Sequence, residues 1–131
     1  MRSILIDTDV VIDFLRGSEE ARDFLLTASE DGALCCSAIT VAEIHAGMRR
    51  HEKKATDDLL SSLIVVAIDR HVAEKAGSYK REIKKQDLDL DDCLVAASAF
   101  STGALLVTGN AKHYPMTDIE KTVLRKETIS I

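Results

Sequence analysis

The chain has 131 residues, of which 46% are hydrophobic, with one proline, no tryptophan and a formal net charge of -5. This length and composition predict one compact domain, residues 1–131, with a core built mainly from aliphatic side chains. The acidic balance argues against a protein that holds nucleic acid through bulk positive charge, although a bound divalent cation can offset acids at a local site.

The segments that mark other classes of protein are missing from the sequence. It has no apolar run of about 18 residues and no signal peptide, so we expect a soluble cytoplasmic protein with no membrane contact. Cys35, Cys36 and Cys93 are an odd number and lack the spacing of metal ligands. We therefore interpret them as reduced core residues.

The chain begins with a short apolar run, residues 3–6, which predicts a strand buried on both faces and ending at Asp7. Helices and strands then alternate. In chain order we predict a helix through Leu15, a helix over 18–32, a strand over 33–37, helices over 41–51 and 52–62, a strand over 63–68, helices over 71–85 and 93–100, a strand over 104–107, and a last strand at 122–124 or 128–131.

Strands that alternate with helices predict right-handed crossovers and a parallel sheet. The apolar runs therefore indicate a small three-layer α/β/α domain with a central sheet of four to five parallel strands. Within it, Thr40 predicts the N-cap of the helix over 41–51, with Glu43 closing a capping box.

Four polar residues follow or begin predicted elements in a way that brings them to one edge of the sheet. Asp7 and Asn110 follow strands, and Glu43 and Asp92 lie in the first turns of helices. If the last two strands lie beyond the first in the reverse direction, Asp7 and Asn110 flank the topological switch point, where open parallel sheets bind ligands.

Such a cluster needs a cation or protons. Two carboxylates about 5 Å apart repel each other by on the order of 3 kcal/mol at an effective dielectric of about 20. Hard oxygen ligands select Mg²⁺ or Mn²⁺, and the lack of a plausible set of His or Cys ligands argues against zinc. Those cations activate water and stabilise charge on a phosphoryl oxygen.

Each of these residues also has an ordinary structural interpretation. Asp7 could simply cap the next helix, Glu43 could only close its capping box, and Asn110 could be a turn residue. One of Asp91 and Asp92 is expected to be a solvated acid at a helix N-terminus. The joint order of the residues along the chain, rather than any one of them, indicates a site.

The same residues give the chain its resemblance to a known family. The sequence resembles a PIN domain, and more narrowly a VapC-type toxin of a type II toxin–antitoxin system, over almost its whole length. The resemblance is carried by residues 5–13, 37–47, 92–99 and 106–114.

The resemblance implies a Mg²⁺- or Mn²⁺-dependent endoribonuclease. Asp7, Glu43 and Asp92 match the family's acids, with Asp7 and Asp92 at the positions credited with holding the metal, and the fourth acid maps to Asn110. Thr108 matches a hydroxyl residue often found near the site. Asp9 stands where Ser or Asn is commoner and adds an acid, and His113 stands where others carry a further acid.

The resemblance further implies an RNA substrate, a homodimer and neutralisation by a VapB-type antitoxin. Two basic clusters could hold RNA phosphates, although charge runs are usually solvated faces. They comprise Arg49, Arg50, Lys53 and Lys54, and Lys80, Arg81, Lys84 and Lys85, with Arg49, Arg50 and Lys84 the residues assigned to RNA binding.

Other functions stay open at this stage. Asp7 and Asp9 have the D-x-D form of a haloacid-dehalogenase-like phosphatase, with Asp7 as nucleophile. A phosphoreceiver would place an aspartate after its third strand, where Asp69 lacks the expected context. A degenerate, non-catalytic PIN module is the third alternative, because Asn110 removes one charge from the cluster.

Overall fold

A computed structural model describes residues 2–124. Its strands are β1 (Ile4–Ile6), β2 (Leu34–Ser37), β3 (Ile64–Val66), β4 (Leu105–Thr108) and β5 (Lys121–Val123). Its helices are α1 (Thr8–Leu15), α2 (Glu19–Asp31), α3 (Ala38–Gly47), α4 (Lys53–Ser62), α5 (Arg70–Glu82) and α6 (Leu90–Thr102), with 3₁₀ turns at Arg50–Glu52 and Ala111–His113.

All five strands are parallel and lie in the order β3-β2-β1-β4-β5. The chain therefore builds the sheet outward from β1 in one direction and then returns to add β4 and β5 on the other side. This confirms the predicted switch point between β1 and β4. The predicted last strand at 122–124 matches β5 within one residue, and the alternative at 128–131 lies outside the described residues.

The strands β1, β2 and β4 are buried between helices on both faces of the sheet, which makes the domain a three-layer α/β/α structure. Leu5 and Leu106 belong to a core cluster with α5 and α6, whereas their neighbours Ile6 and Val107 belong to a second cluster with α1, α2 and α3. This alternation follows from strand geometry, because successive side chains point to opposite faces. Burial on both faces explains why the sequences of these strands are continuous apolar runs.

The predicted cap of the third helix is wrong. Its N-cap is Ser37, whose hydroxyl accepts a hydrogen bond from the backbone N–H of Ile39 at 3.3 Å. The helix therefore begins at Ala38 and ends at Gly47 instead of covering 41–51, and Thr40 is buried inside its first turn. Ser37 and Thr40 are both suitable N-cap residues. Ser37 caps the helix because it is the last residue of β2, where the strand ends.

The cysteine prediction is consistent with the structure, in which Cys35, Cys36 and Cys93 are free and buried. Burial raises the pKa of the thiol of Cys36 to about 11, with a smaller contribution from Cys35. Among residues 2–124, no helix is long and apolar enough to cross a membrane.

Gly32 gives a direct test of the packing at the start of β1. A Cβ at this position would lie 2.3 Å from the backbone oxygen of Arg2, whereas a Cβ at Gly77, within α5, would meet nothing within 4 Å. We expect Gly32→Ala to lower the free energy of unfolding by about 1–3 kcal/mol. The matched Gly77→Ala should raise it by about 0.5–1 kcal/mol, because alanine is the better helix former.

Urea denaturation followed by circular dichroism measures both changes. Equal stabilities of the two variants would show that the chain at Arg2 moves aside freely.

Candidate active site

The site lies at the carboxyl edge of the two central strands. β1 ends at Ile6, and β4, its neighbour, ends at Thr108. Asp7 follows β1 directly and is buried, with 6% of its surface exposed. It is the N-cap of α1, so the helix-cap interpretation of Asp7 is correct as well as its position at the switch point.

Both oxygens of the Asp7 carboxylate accept hydrogen bonds from neutral donors. The backbone N–H of Thr8 donates to Oδ1 at 2.8 Å, and the hydroxyl of Thr108 donates to Oδ2 at 2.8 Å. Thr108 is itself fully buried and belongs to β4. The two central strands therefore fix the orientation of this carboxylate together.

Glu43 joins the cluster through the hydroxyl of Thr8 and not through a capping box. That hydroxyl donates to Glu43 Oε1 at 2.8 Å and lies 2.9 Å from the hydroxyl of Thr40. A hydroxyl has one proton, so Thr40 donates to Thr8 and Thr8 donates to Glu43. Burial raises the pKa of Glu43, and the nearby charges of Asp91 and Asp7 raise it further, against the lowering effect of the Thr8 hydrogen bond.

Asp9 lies in the first turn of α1 and reaches the loop after β4. The backbone N–H of Gly109 donates to its Oδ2 at 3.0 Å, while its Oδ1 is buried and has no hydrogen-bond partner among the described residues. Burial and the charge of Asp7 raise the pKa of Asp9 to about 6. A Cβ on Gly109 would come within 2.5 Å of Asp9 Oδ2, so only glycine allows this approach.

Asp92 occupies the first turn of α6 and is the inward-facing member of its pair, because Asp91 is exposed. Its Oδ1 lies 3.4 Å from the hydroxyl of Tyr114 and its Oδ2 lies 3.4 Å from His113 Nδ1. Burial raises the pKa of Asp92 to about 6, the proximity of His113 lowers it, and the charge of Asp7 raises it.

Asn110 lies in the loop that follows β4. It is the N-cap of the 3₁₀ turn Ala111–His113, where its Oδ1 accepts a hydrogen bond from the backbone N–H of Lys112 at 3.2 Å. Its backbone N–H donates to the hydroxyl of Thr108 at 3.1 Å. The interpretation of Asn110 as a turn residue is confirmed by this geometry.

Three further residues contribute to the site and were not predicted from the sequence as site residues. Thr8 and Thr40 orient Glu43, and Tyr114 is fully buried with its hydroxyl facing Asp92. Burial, followed by the charges of Asp7 and Asp92, raises the pKa of Tyr114. Each of them lies near a predicted site residue in the sequence, but their contacts with Thr8 and Asp92 join distant segments.

The acids of the site offer carboxylate oxygens, the type of ligand that Mg²⁺ and Mn²⁺ prefer. Within residues 2–124, no group of three or more His, Cys, Asp and Glu side chains is arranged to hold a metal ion. Magnesium does not need such a cage, because it is usually bound through one or two carboxylates and keeps several waters. The raised pKa values of Asp9 and Asp92, together with the unpartnered Oδ1 of Asp9, mark a site that lacks positive charge.

The basic residues assigned to RNA binding are exposed. Arg49 and Arg50 lie between α3 and α4, and Lys84 follows α5. Several of their neighbours form ion pairs on the surface, including Lys53 with Asp57, Lys54 with Asp58 and Lys80 with Asp87.

Comparison with known proteins identifies the fold and the relatives. The sequence profile of the PIN domain family matches residues 4–118. The chain is 38% identical over 115 residues to Ribonuclease VapC10 of Mycobacterium tuberculosis, covering 86% of each chain. It is 30% identical over 115 residues to Ribonuclease VapC19 of the same organism, covering 86% of this chain and 92% of the relative.

Solved structures share the same architecture at lower sequence identity. A VapBC2 complex from Rickettsia felis, bound to a promoter DNA fragment, superposes with a TM-score of 0.84 at 18% identity, covering 92% of this chain and 98% of the other. DNA-bound VapBC from Salmonella typhimurium gives 0.81 at 24% identity, covering 95% and 99%. These likenesses establish the α/β/α fold.

The raised pKa of Asp9 predicts a pH-dependent stability. An aspartate ionises in an unfolded chain with a pKa of about 3.9, whereas folded Asp9 ionises at about 6, so the charged form destabilises the fold increasingly as the pH rises through that interval. Asp9→Asn removes the charge and keeps an oxygen for Gly109. We expect it to raise the melting temperature by a few degrees at about pH 8 and to change it little at about pH 4.

Thermal melts with a chelator present measure this difference. Asp58→Asn, an exposed acid on α4, is the control and should leave the melting temperature almost unchanged at both pH values. An equal effect of Asp9→Asn at both pH values would contradict the assignment of the effect to its charge.

Proposed function

The chain belongs to the PIN domain family, and from this premise we propose that it is a metal-dependent endoribonuclease toxin that is neutralised by a VapB-type antitoxin. The observation that carries the proposal is the convergence of Asp7, Glu43 and Asp92 at the switch point of the sheet, each buried or half-buried and held by specific donors. The names of the relatives supply the reaction class. The substrate is the phosphodiester backbone of RNA.

Asp7 and Asp92 would hold the divalent cation, because they match the acids of the family that are credited with metal binding and because the charge of Asp7 acts on Asp92. When bound, Mg²⁺ or Mn²⁺ supplies Lewis-acid stabilisation of phosphate charge and lowers the pKa of water. Asp9 adds negative charge next to Asp7 and raises the attraction of the site for a cation.

Glu43 orients the attacking water and takes its proton. The hydroxyl of Thr8 fixes Oε1, which leaves Oε2 as the acceptor for a water proton. The raised pKa of Glu43 favours this role, because it makes the carboxylate a better base. The water oxygen bonds to phosphorus as Glu43 takes one water proton, and the bond from phosphorus to the leaving ribose oxygen breaks. That oxygen takes a proton from the solvent, and Glu43 returns its own proton to the solvent afterwards.

The other enzymatic alternative fits the geometry less well. A haloacid-dehalogenase-like phosphatase would carry its late metal-binding acids at the end of a strand, whereas Asp91 and Asp92 lie in the first turn of α6. The receiver alternative fails similarly, because Asp69 caps α5 by accepting a hydrogen bond from the backbone N–H of Val72.

We further propose that the antitoxin covers an apolar groove between α2, α4 and the edge strand β3. The groove encloses about 430 Å³. Two of its wall residues are large and exposed, Leu26 at 59% and Ile64 at 57%, and the adjacent Val65 is 45% exposed. Exposed apolar side chains grouped in this way mark a surface that a partner covers. The homodimer that the family resemblance implies stays a prediction.

Removing either predicted metal ligand should abolish activity without unfolding the protein. Asp7→Asn retains a good N-cap residue, and Asp92→Asn removes charge from a first turn that keeps Asp91. We expect each variant to cleave RNA at least about 100-fold more slowly with Mg²⁺ or Mn²⁺ present, because several kcal/mol of charge stabilisation are lost.

Cleavage of a mixed RNA substrate, with and without a chelator, measures this loss, and Asp58→Asn serves as the control. Full activity of both variants would refute the assignment. A wild-type protein that binds neither Mg²⁺ nor Mn²⁺ at millimolar concentration and leaves RNA intact would instead favour the degenerate, non-catalytic module.

A charged side chain in the groove should weaken antitoxin binding without affecting catalysis. We expect Leu26→Lys and Ile64→Lys to weaken binding of the cognate VapB-type antitoxin by at least about tenfold, because a lysine there buries an unpaired charge or leaves the groove open. RNA cleavage should be retained. Val123→Lys, on the exposed face of the opposite edge strand, is the matched control.

Calorimetric titration of the antitoxin into each variant gives the affinities. If both groove variants bind the antitoxin with wild-type affinity, the antitoxin binds at another surface.

A further inference from the structure

The side chains of Asn110, His113 and Asp92 lie in a row at the mouth of the site. Asn110 Nδ2 lies 3.0 Å from His113 Nε2, and His113 Nδ1 lies 3.4 Å from Asp92 Oδ2. The first two residues belong to the 3₁₀ turn after β4, and the third belongs to α6. The row therefore connects the loop to the helix that carries a predicted metal ligand.

The orientation of the Asn110 amide is fixed by the backbone. Its Oδ1 accepts the hydrogen bond from the N–H of Lys112, so its Nδ2 is the atom that faces His113. An amide nitrogen only donates hydrogen bonds, so His113 Nε2 must be the acceptor. A neutral imidazole with an acceptor at Nε2 carries its proton on Nδ1, and that N–H faces Asp92.

The second oxygen of Asp92 faces another neutral donor, the hydroxyl of Tyr114. Tyr114 is fully buried and directly follows His113, so two consecutive residues face the two carboxylate oxygens of Asp92. Both distances are 3.4 Å, longer than an ordinary hydrogen bond. Catalytic hydrogen bonds of this length commonly tighten in the complex with substrate.

We propose that Asn110 and His113 form a neutral relay that orients Asp92, with His113 as a positioning residue and Asn110 as the group that sets its tautomer. The proposal rests on the proposed function, in which Asp92 binds the cation. It explains why an amide stands at position 110. An ionised aspartate there could only accept, so a neutral imidazole would have to carry its proton on Nε2 and would turn the lone pair of Nδ1 toward Asp92.

The tautomer of His113 can be read directly. Long-range nitrogen–proton NMR spectra of the metal-free protein at about pH 8.5, where histidine is ordinarily neutral, distinguish a proton on Nδ1 from one on Nε2. We expect Nδ1–H in the wild-type protein and a shift toward Nε2–H in Asn110→Ala. A wild-type proton on Nε2, or a tautomer that Asn110→Ala leaves unchanged, would overturn the relay.

The effect on Asp92 is measured by calorimetric titration with Mn²⁺. Loss of a group that orients a ligating carboxylate typically weakens metal binding about 10–100-fold, so His113→Ala should raise the Kd at least about tenfold. His113→Asn places an amide nitrogen near the position of Nδ1 and should return the Kd to within about threefold of wild type. His51→Ala, an exposed histidine in the other 3₁₀ turn, should leave it unchanged.

Wild-type affinity in His113→Ala, or an equal loss in His113→Asn, would contradict the positioning role. If the wild-type protein binds no Mn²⁺ and cleaves no RNA, the proposed function fails, and the NMR spectra alone then decide whether the relay exists.

Discussion

The site depends on one constraint, which is that several carboxylates are brought out of water at one edge of a sheet. Asp7 is buried, and Asp9, Glu43 and Asp92 are partly buried next to it. Burial is the largest cause of the raised pKa of Asp9, Glu43 and Asp92, and repulsion from Asp7 adds to it in each case. The order of the strands causes this repulsion, because the switch between β1 and β4 brings the segments that carry the acids together.

The chain meets this constraint with hydrogen bonds from two separate segments. Thr8 serves two acids at once, since its backbone N–H binds Asp7 and its hydroxyl binds Glu43. The loop after β4 contributes the hydroxyl of Thr108 and the N–H of Gly109. Most of these hydrogen bonds join residues that are far apart in the sequence. The hydrogen-bonded cluster of acids therefore forms only when the sheet is complete.

The fold could be predicted from the sequence because β1 to β4 are short apolar runs and predicted helices separate them. The acids could be predicted because they follow strands or open helices, and parallel strands carry such positions to one edge. The start of α3 could not be predicted correctly, because Ser37 and Thr40 are both good N-caps and the choice depends on where β2 ends. The roles of Thr40 and Tyr114 could not be predicted either, since they depend on contacts across 32 and 22 residues of sequence.

All the identified donors to these acids are neutral, and this has a consequence for how the site works. Among residues 2–124, none of the ion pairs formed by Lys or Arg involves Asp7, Asp9, Glu43 or Asp92. The ammonium of Lys121, which lies close to the loop, donates instead to the backbone oxygens of Tyr114 and Met116. A fixed ammonium or guanidinium among the acids would stabilise the empty fold, but it would also compete with a divalent cation for the same oxygens. Neutral donors orient the carboxylates and leave their charge uncompensated, so a cation that binds there relieves the repulsion and thereby stabilises the folded chain.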